Sequence, residues 1–298
     1  MKPRIIFDTS AFNHIVNKDK YDPLIKEIFS GFEVIITGTL FGEVMATPDE
    51  RTRNEFILKL NEFLRYGYCI RPFDEIITLL IEEHQRNPNM FNSDKVDIKA
   101  ENYRNSILHE NLSSDNEISQ NEREFQNKTN DDFEKVWKEL KPELDDIFEN
   151  EPSLKCPQDY HGIIEIDKSE KGYLYKIGQL FYNNFRAIKH TGATEDGVKI
   201  FLNKCAPFRA LCYSISMARF NWSLAPGRVF GDKLQRAGRN DLLSAVYMPY
   251  CDFFISDDIA QLDNLGKIAK EANIQCHVIS LGKFYEKICL IPAPLFAG

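Results

Sequence analysis

The chain opens with a short β-branched and aromatic run, Arg4 to Phe7 (RIIF), and two similar runs follow at FEVIITG and YGYCIRP. Continuous β-branched and aromatic runs of this length predict strands buried on both faces. Between them the apolar spacing lengthens to that of amphipathic helices. AFNHIV begins one helix after Asp8-Thr9-Ser10, where a carboxylate or hydroxyl can cap it. PLIKEIF, from Pro23 toward Ser30-Gly31, predicts another. TLFGEVMAT turns helical from Thr39 and carries Glu43. Residues 48–66 predict a long helix with Phe56, Leu60, Phe63 and Leu64 on one face, and a further helix runs from Phe73 to Gln85.

The same alternation returns at the C-terminus. DLLSAVYMPY reads as helix, DFFIS as strand, DDIAQLDNLGKIAKEA as helix and IQCHVISL as a last strand. Together these elements predict an α/β fold: a Rossmann-like parallel sheet of about four to five strands, flanked by helices and split by a largely helical insertion. Residues 1–85 form the N-terminal part of that core, 86–235 the insertion and 236–298 the C-terminal part. Within the insertion the chain is polar and rich in Asn up to Tyr160, and acids outnumber bases between Glu110 and Glu151. Residues 111–126 have the composition of a disordered segment. Phe133 to Trp137 with Leu140, and then Gly172 to Phe220, read as helix.

Composition narrows the class. A hydrophobic fraction of 43% supports a core, and the net charge of -8 over 298 residues argues against a generic nucleic-acid coat protein. Seven scattered cysteines without a C-x-x-C pair read as buried thiols in a reducing compartment. The N-terminal apolar run is too short for a signal peptide, and no stretch reaches the ~20 apolar residues of a spanning helix. A cytoplasmic protein with no membrane partner is expected. The six histidines lack zinc-site spacing, and no phosphate-binding glycine loop or G-x-S-x-G elbow is present.

The acids carry the candidate chemistry. In a parallel sheet, sites form outside the carboxyl ends of the strands. Asp8 follows the first strand, Glu43 lies on the helix after the second, Asp241 opens the helix before DFFIS, and Asp257 and Asp258 follow that strand. Each has a plain alternative as a helix cap or dipole partner, though Leu40, Phe41, Val44 and Met45 would draw Glu43 inward. Asp252 opens a strand and reads as turn chemistry, and Asp232 is a weaker ligand candidate. If the acids meet, their oxygens suit hard Mg²⁺ or Mn²⁺, because uncompensated carboxylates repel one another.

RIIFDTSAF, TLFGEVMAT and NDLLSAVYMPYCDFFISDDIAQL, in this order, resemble the motifs of PIN-domain nucleases across about residues 1–85 and 236–290. The resemblance implies a PIN-like fold and places catalytic, metal-binding acids at Asp8, Glu43, Asp241 and Asp258, with Asp257 as an alternative or additional ligand. It gives Thr9 and Ser256 supporting roles and Mg²⁺ or Mn²⁺ as cofactor. The implied activity is metal-dependent endonucleolytic hydrolysis, RNA favoured over DNA, in a toxin or defence effector. The gap between Glu43 and Asp241 is far longer than in a compact PIN domain.

Arg186 to Arg239 runs against the global charge, with aromatics interleaved. Arg228, Lys233, Arg236 and Arg239, just before Asp241, are candidate phosphate contacts, whereas Phe208, Tyr213, Phe220, Trp222 and Phe230 read as core before stacking platforms. The acidic segment between Glu110 and Glu151 would repel nucleic acid and suits solvation, a protein partner or inhibitor, or a cover over the site, and a homo-oligomer is left open. Two other classes compete: a haloacid-dehalogenase-like phosphatase, although Ser10 stands where its second Asp belongs, and a non-catalytic PIN-like scaffold.

Overall fold

The computed structural model describes residues 2–17, 28, 30–108, 119–124, 127–128, 160–168, 173–185, 194–224 and 238–289. Five parallel strands form its centre: β1 (Arg4–Phe7), β2 (Glu33–Thr37), β3 (Gly67–Ile70), β4 (Phe253–Ile255) and β5 (His277–Ile279). They lie in the order β3-β2-β1-β4-β5. The α/β class with a parallel, helix-flanked sheet is therefore as the apolar rhythm predicts.

The first half supplies α1 (Thr9–Asn17), α2 (Gly38–Met45), α3 (Glu50–Leu64), α4 (Phe73–Arg86) and α5 (Glu101–Leu108). The middle supplies α6 (Tyr160–Asp167), α7 (Tyr173–Asn184), α8 (Glu195–Lys204) and α9 (Ala206–Leu224). The C-terminal part supplies α10 (Gly238–Leu243), α11 (Ile259–Glu271) and α12 (Leu281–Cys289). The helix expected at PLIKEIF falls mostly outside the described residues, and the one expected at Phe133 to Leu140 wholly so.

Successive strand side chains point to opposite faces, and both faces are apolar. Ile5, Phe7, Val34, Ile36 and Ile255 join the core under α1, α2, α3 and α12. Ile6, Ile35, Ile70 and Phe254 join the other core, which α4, α6 to α9 and α11 complete through Ile77, Ile164, Phe201, Phe208 and Ile268. The middle helices thus share one buried cluster with the sheet. Each such side chain contributes roughly 1.5–3 kcal/mol by burial. Phe208, Tyr213 and Phe220 are among these buried rings, so core rather than stacking is their role. Trp222 and Phe230 lie outside what is described of side chains.

Three boundaries differ from the sequence reading. Thr37 ends β2 and caps α2 by accepting the Leu40 N–H, so the helix starts at Gly38 rather than Thr39. Only Gly38 permits this start, because a Cβ there would lie 2.5 Å from the Pro72 nitrogen. DLLSAVYMPY is α-helical only to Leu243 and continues as a 3₁₀ segment, Ser244–Tyr250, containing Pro249, which lacks an N–H and disfavours the α ladder. The last strand is short because Cys276 and its neighbours precede the pairing of β5 with β4. Cys69, Cys205, Cys212, Cys251 and Cys276 are free thiols, all but Cys276 buried. Among the described residues no helix is long and apolar enough to cross a membrane.

The order of the strands decides where a site can form. From β1 the chain steps outward to β2 and β3, then returns to β4 on the other flank of β1 and steps to β5. Connections leave β1 and β4 in opposite directions, which opens a crevice at their carboxyl ends.

Candidate active site

Pairing of Phe7 with Ile255 aligns the carboxyl ends of β1 and β4. The Asp8 N–H then donates to the Ile255 carbonyl at 2.9 Å, and Asp8 meets Ser256 across the crevice. Around this point lies a pocket of about 260 Å³, lined by residues including Asp8, Thr9, Ser10, Asn13, Thr39, Glu43, Asp241, Ser244, Tyr247, Asp258 and Gln261. Four of the expected acids, from both ends of the chain, therefore share one cavity.

Asp8 is held on several sides. The Ser10 hydroxyl lies 2.9 and 3.0 Å from its two carboxylate oxygens, the Ala11 N–H donates to Oδ1 at 2.9 Å, and the Ser256 hydroxyl donates to Oδ2 at 2.9 Å. Burial nevertheless pushes its carboxyl up from 3.8 to about 6, against the lowering pull of these bonds. Glu43 projects from α2 and accepts a hydrogen bond from the Thr9 hydroxyl. Thr9 and Ser256 thus each hydrogen-bond to one of the pocket's acids.

Asp241 lies in the first turn of α10. Burial raises its carboxyl from 3.8 to about 7, and the negative charges of Asp258, Glu43 and Asp8 add to the rise. Among the described residues neither Asp8 nor Asp241 has an ion-pair partner. No group of three or more described His, Cys, Asp or Glu side chains forms a ready-made metal cage.

The two adjacent acids after β4 have different neighbours. Asp258 lines the pocket and caps α11, accepting the Gln261 N–H at 2.8 Å. Asp257 turns away: it meets His14 Nδ1 at 2.5 Å and accepts the Leu281 N–H at 3.0 Å, while its own N–H donates to Ser10 Oγ at 2.8 Å. Asp252 sits at the opposite end of β4, where it accepts the Arg4 N–H at 2.6 Å. Arg228, Lys233 and Arg236, with Asp232, lie outside the described residues. Arg239 is described only as backbone in α10.

Sequence reasoning passed over Asn13, Thr39, Tyr247 and Gln261, and gave Ser10 only a capping role. Thr39 Oγ1 lies 2.8 Å from the buried Tyr247 hydroxyl, joining α2 to the 3₁₀ segment beside the pocket. Gln261 had a legible signal, since Asp-x-x-Gln at a helix start is a capping-box spacing. Asn13, on α1 one turn beyond Asp8 and Thr9, had only its helical spacing. No family model matches the chain, and no curated protein or solved structure matches it.

Proposed function

We propose that the protein is a divalent-metal-dependent nuclease with a PIN-like fold, hydrolysing phosphodiester bonds with RNA as the expected substrate. The carrying observation is the meeting of Asp8, Glu43, Asp241 and Asp258 around one pocket at the carboxyl ends of β1 and β4. The donor set fits a hard cation: the described lining offers carboxylate, hydroxyl and amide oxygens, with no thiol or imidazole. Asp8, Glu43, Asp241 and Asp258 would hold Mg²⁺ or Mn²⁺. When bound, such an ion lowers the pKa of water and stabilises charge on a scissile phosphate.

The chain's own contribution is orientation. Ser10 and Ser256 fix the Asp8 carboxylate from two elements, and Thr9 fixes Glu43. Asp257 braces the bend behind Asp258 through Leu281 and Ser10. The phosphatase reading lacks the acid it needs two residues after Asp8, because Ser10 stands there, bonded to Asp8 and Asp257. A role in toxicity or defence belongs to this proposal only as the setting in which such nucleases act.

The test is the purified full chain with Mg²⁺ or Mn²⁺ on labelled RNA and labelled DNA. Cleavage should depend on the metal and fall at least about a hundredfold in Asp8→Asn and in Asp241→Asn, more than loss of a mere supporting group. Equal activity in both variants would overturn the proposal, and preference for DNA would correct its substrate.

A further inference from the structure

One buried group beside the four carboxylates has a polar atom that finds no partner among the described residues. Gln261, on the first turn of α11, is only 3% exposed and lines the pocket. Its backbone N–H donates to Asp258 Oδ1 at 2.8 Å, and its side-chain Nε2 lies 3.4 Å from Asp241 Oδ1. It therefore touches both acids that the C-terminal part contributes. Its side-chain oxygen, Oε1, is buried and has no hydrogen-bond donor among the described residues.

The local sequence explains why that oxygen is left over. Asp258 is the cap residue and Gln261 stands three positions on, the spacing of a capping box, in which the glutamine oxygen normally accepts the cap residue's own N–H. Here the Asp258 N–H donates instead to Ser256 Oγ at 3.0 Å. Gln261 is thereby released from capping and turned toward Asp241. A buried acceptor without a donor costs about 1–3 kcal/mol, so the position is unfavourable for the fold alone.

The chemistry of its partner is restricted. A phosphodiester offers only acceptors at its oxygens, and an ionised carboxylate likewise has nothing to donate. A metal cation or the water it carries meets the requirement, and Mg²⁺ typically retains several waters. Asn13 Oδ1, a second buried acceptor with no donor among the described residues, belongs to a residue lining the same pocket from α1.

We infer that Gln261 is a positioning residue of the metal site, its side-chain oxygen receiving the hydrated divalent ion. This rests on the metal-site reading above. Partners of this kind typically change metal affinity by about 10–100-fold when removed.

The experiment is calorimetric titration of Mn²⁺ alone into the full chain, wild type against Gln261→Met and Gln261→Glu, with thermal unfolding of each metal-free protein. Gln261→Met keeps the length and removes the oxygen; its Mn²⁺ affinity should fall about tenfold or more, with the metal-free Tm unchanged or higher. Gln261→Glu keeps an oxygen and should bind Mn²⁺ at least as tightly as wild type. Wild-type affinity in Gln261→Met overturns the inference and leaves the nuclease reading standing. Absence of Mn²⁺ binding by the wild type overturns both. Lost binding in Gln261→Glu, or a lowered metal-free Tm in Gln261→Met, marks Gln261 as a structural part and overturns the inference. Should Gln261→Met not fold, binding by Gln261→Glu decides alone.

Discussion

The two ends of the same sheet treat aspartate in opposite ways. At the amino ends, Asp252 accepts the Arg4 N–H and has the Arg4 guanidinium 3.7 Å away. It is a compensated charge closing a strand pair. At the carboxyl ends, Asp8 and Asp241 sit in a pocket with two further acids, and burial lifts both well above the ordinary carboxylate range. Four carboxylates grouped in this way are costly to the fold without a cation. One end of the sheet serves stability; the other gives up stability to group charges, the arrangement that the proposed metal would complete.

The widest separation between the ends should come from activity. Glu43→Gln should reduce metal-dependent cleavage at least about a hundredfold, as expected for a direct ligand when supporting partners alone give 10–100-fold effects. Asp252→Asn, which keeps an acceptor for the Arg4 N–H, should stay within about twofold, since Arg4–Asp252 is a half-buried pair at the end of the sheet away from the pocket. Similar losses in the two variants would break the comparison. Rate measurement on one RNA substrate at saturating Mn²⁺ decides it.

The next effect is one of pH. Asp241 holds its proton more tightly folded, at about 7, than unfolded, near 3.8. The stability it contributes is therefore fully present below about 3.8 and is lost as pH rises through about 7. Asp8, at about 6, acts in the same direction. Unfolding of the metal-free protein should show a Tm that declines between pH 5 and pH 8. In Asp241→Asn that decline should flatten, with a gain at pH 8 of roughly 2–4 °C for each kcal/mol relieved. A Tm that rises over this range in the wild type, with no difference in the variant, would contradict the account.

How much of this was readable beforehand differs between the sheet and the site. The strands announce themselves because RIIF, EVIIT and FFI are buried on both faces. The acids announce themselves because they follow those runs. What the linear chain conceals is neighbourhood. β1 pairs with β4, whose residues lie near the far end of the chain, and only that pairing brings Ser256 to Asp8. Pro249 marks the break in the α ladder locally, but the burial of Tyr247 and its reach to Thr39 are products of packing. Gln261 was overlooked because its capping-box spacing describes a local bond that Ser256 displaces.

The same dependence on neighbourhood separates Asp257 from Asp258, which a sequence motif treats as interchangeable. Asp258 both caps α11 and lines the pocket. Asparagine caps a helix about as well as aspartate, so Asp258→Asn should preserve the helix start while removing a repelling charge, leaving Tm unchanged or higher and cleavage strongly reduced. Asp257 bonds to His14 and to the Leu281 N–H instead. Asp257→Asn should cost roughly 0.5–1.5 kcal/mol through weakened hydrogen bonds and lower cleavage by less than about tenfold. Parallel Tm and rate measurements on the two variants read both effects. Reversal of the pattern, with Asp257→Asn inactive and stable, would place the fourth ligand at Asp257 and require the bend after β4 to turn its neighbouring carboxylate outward when the ion binds.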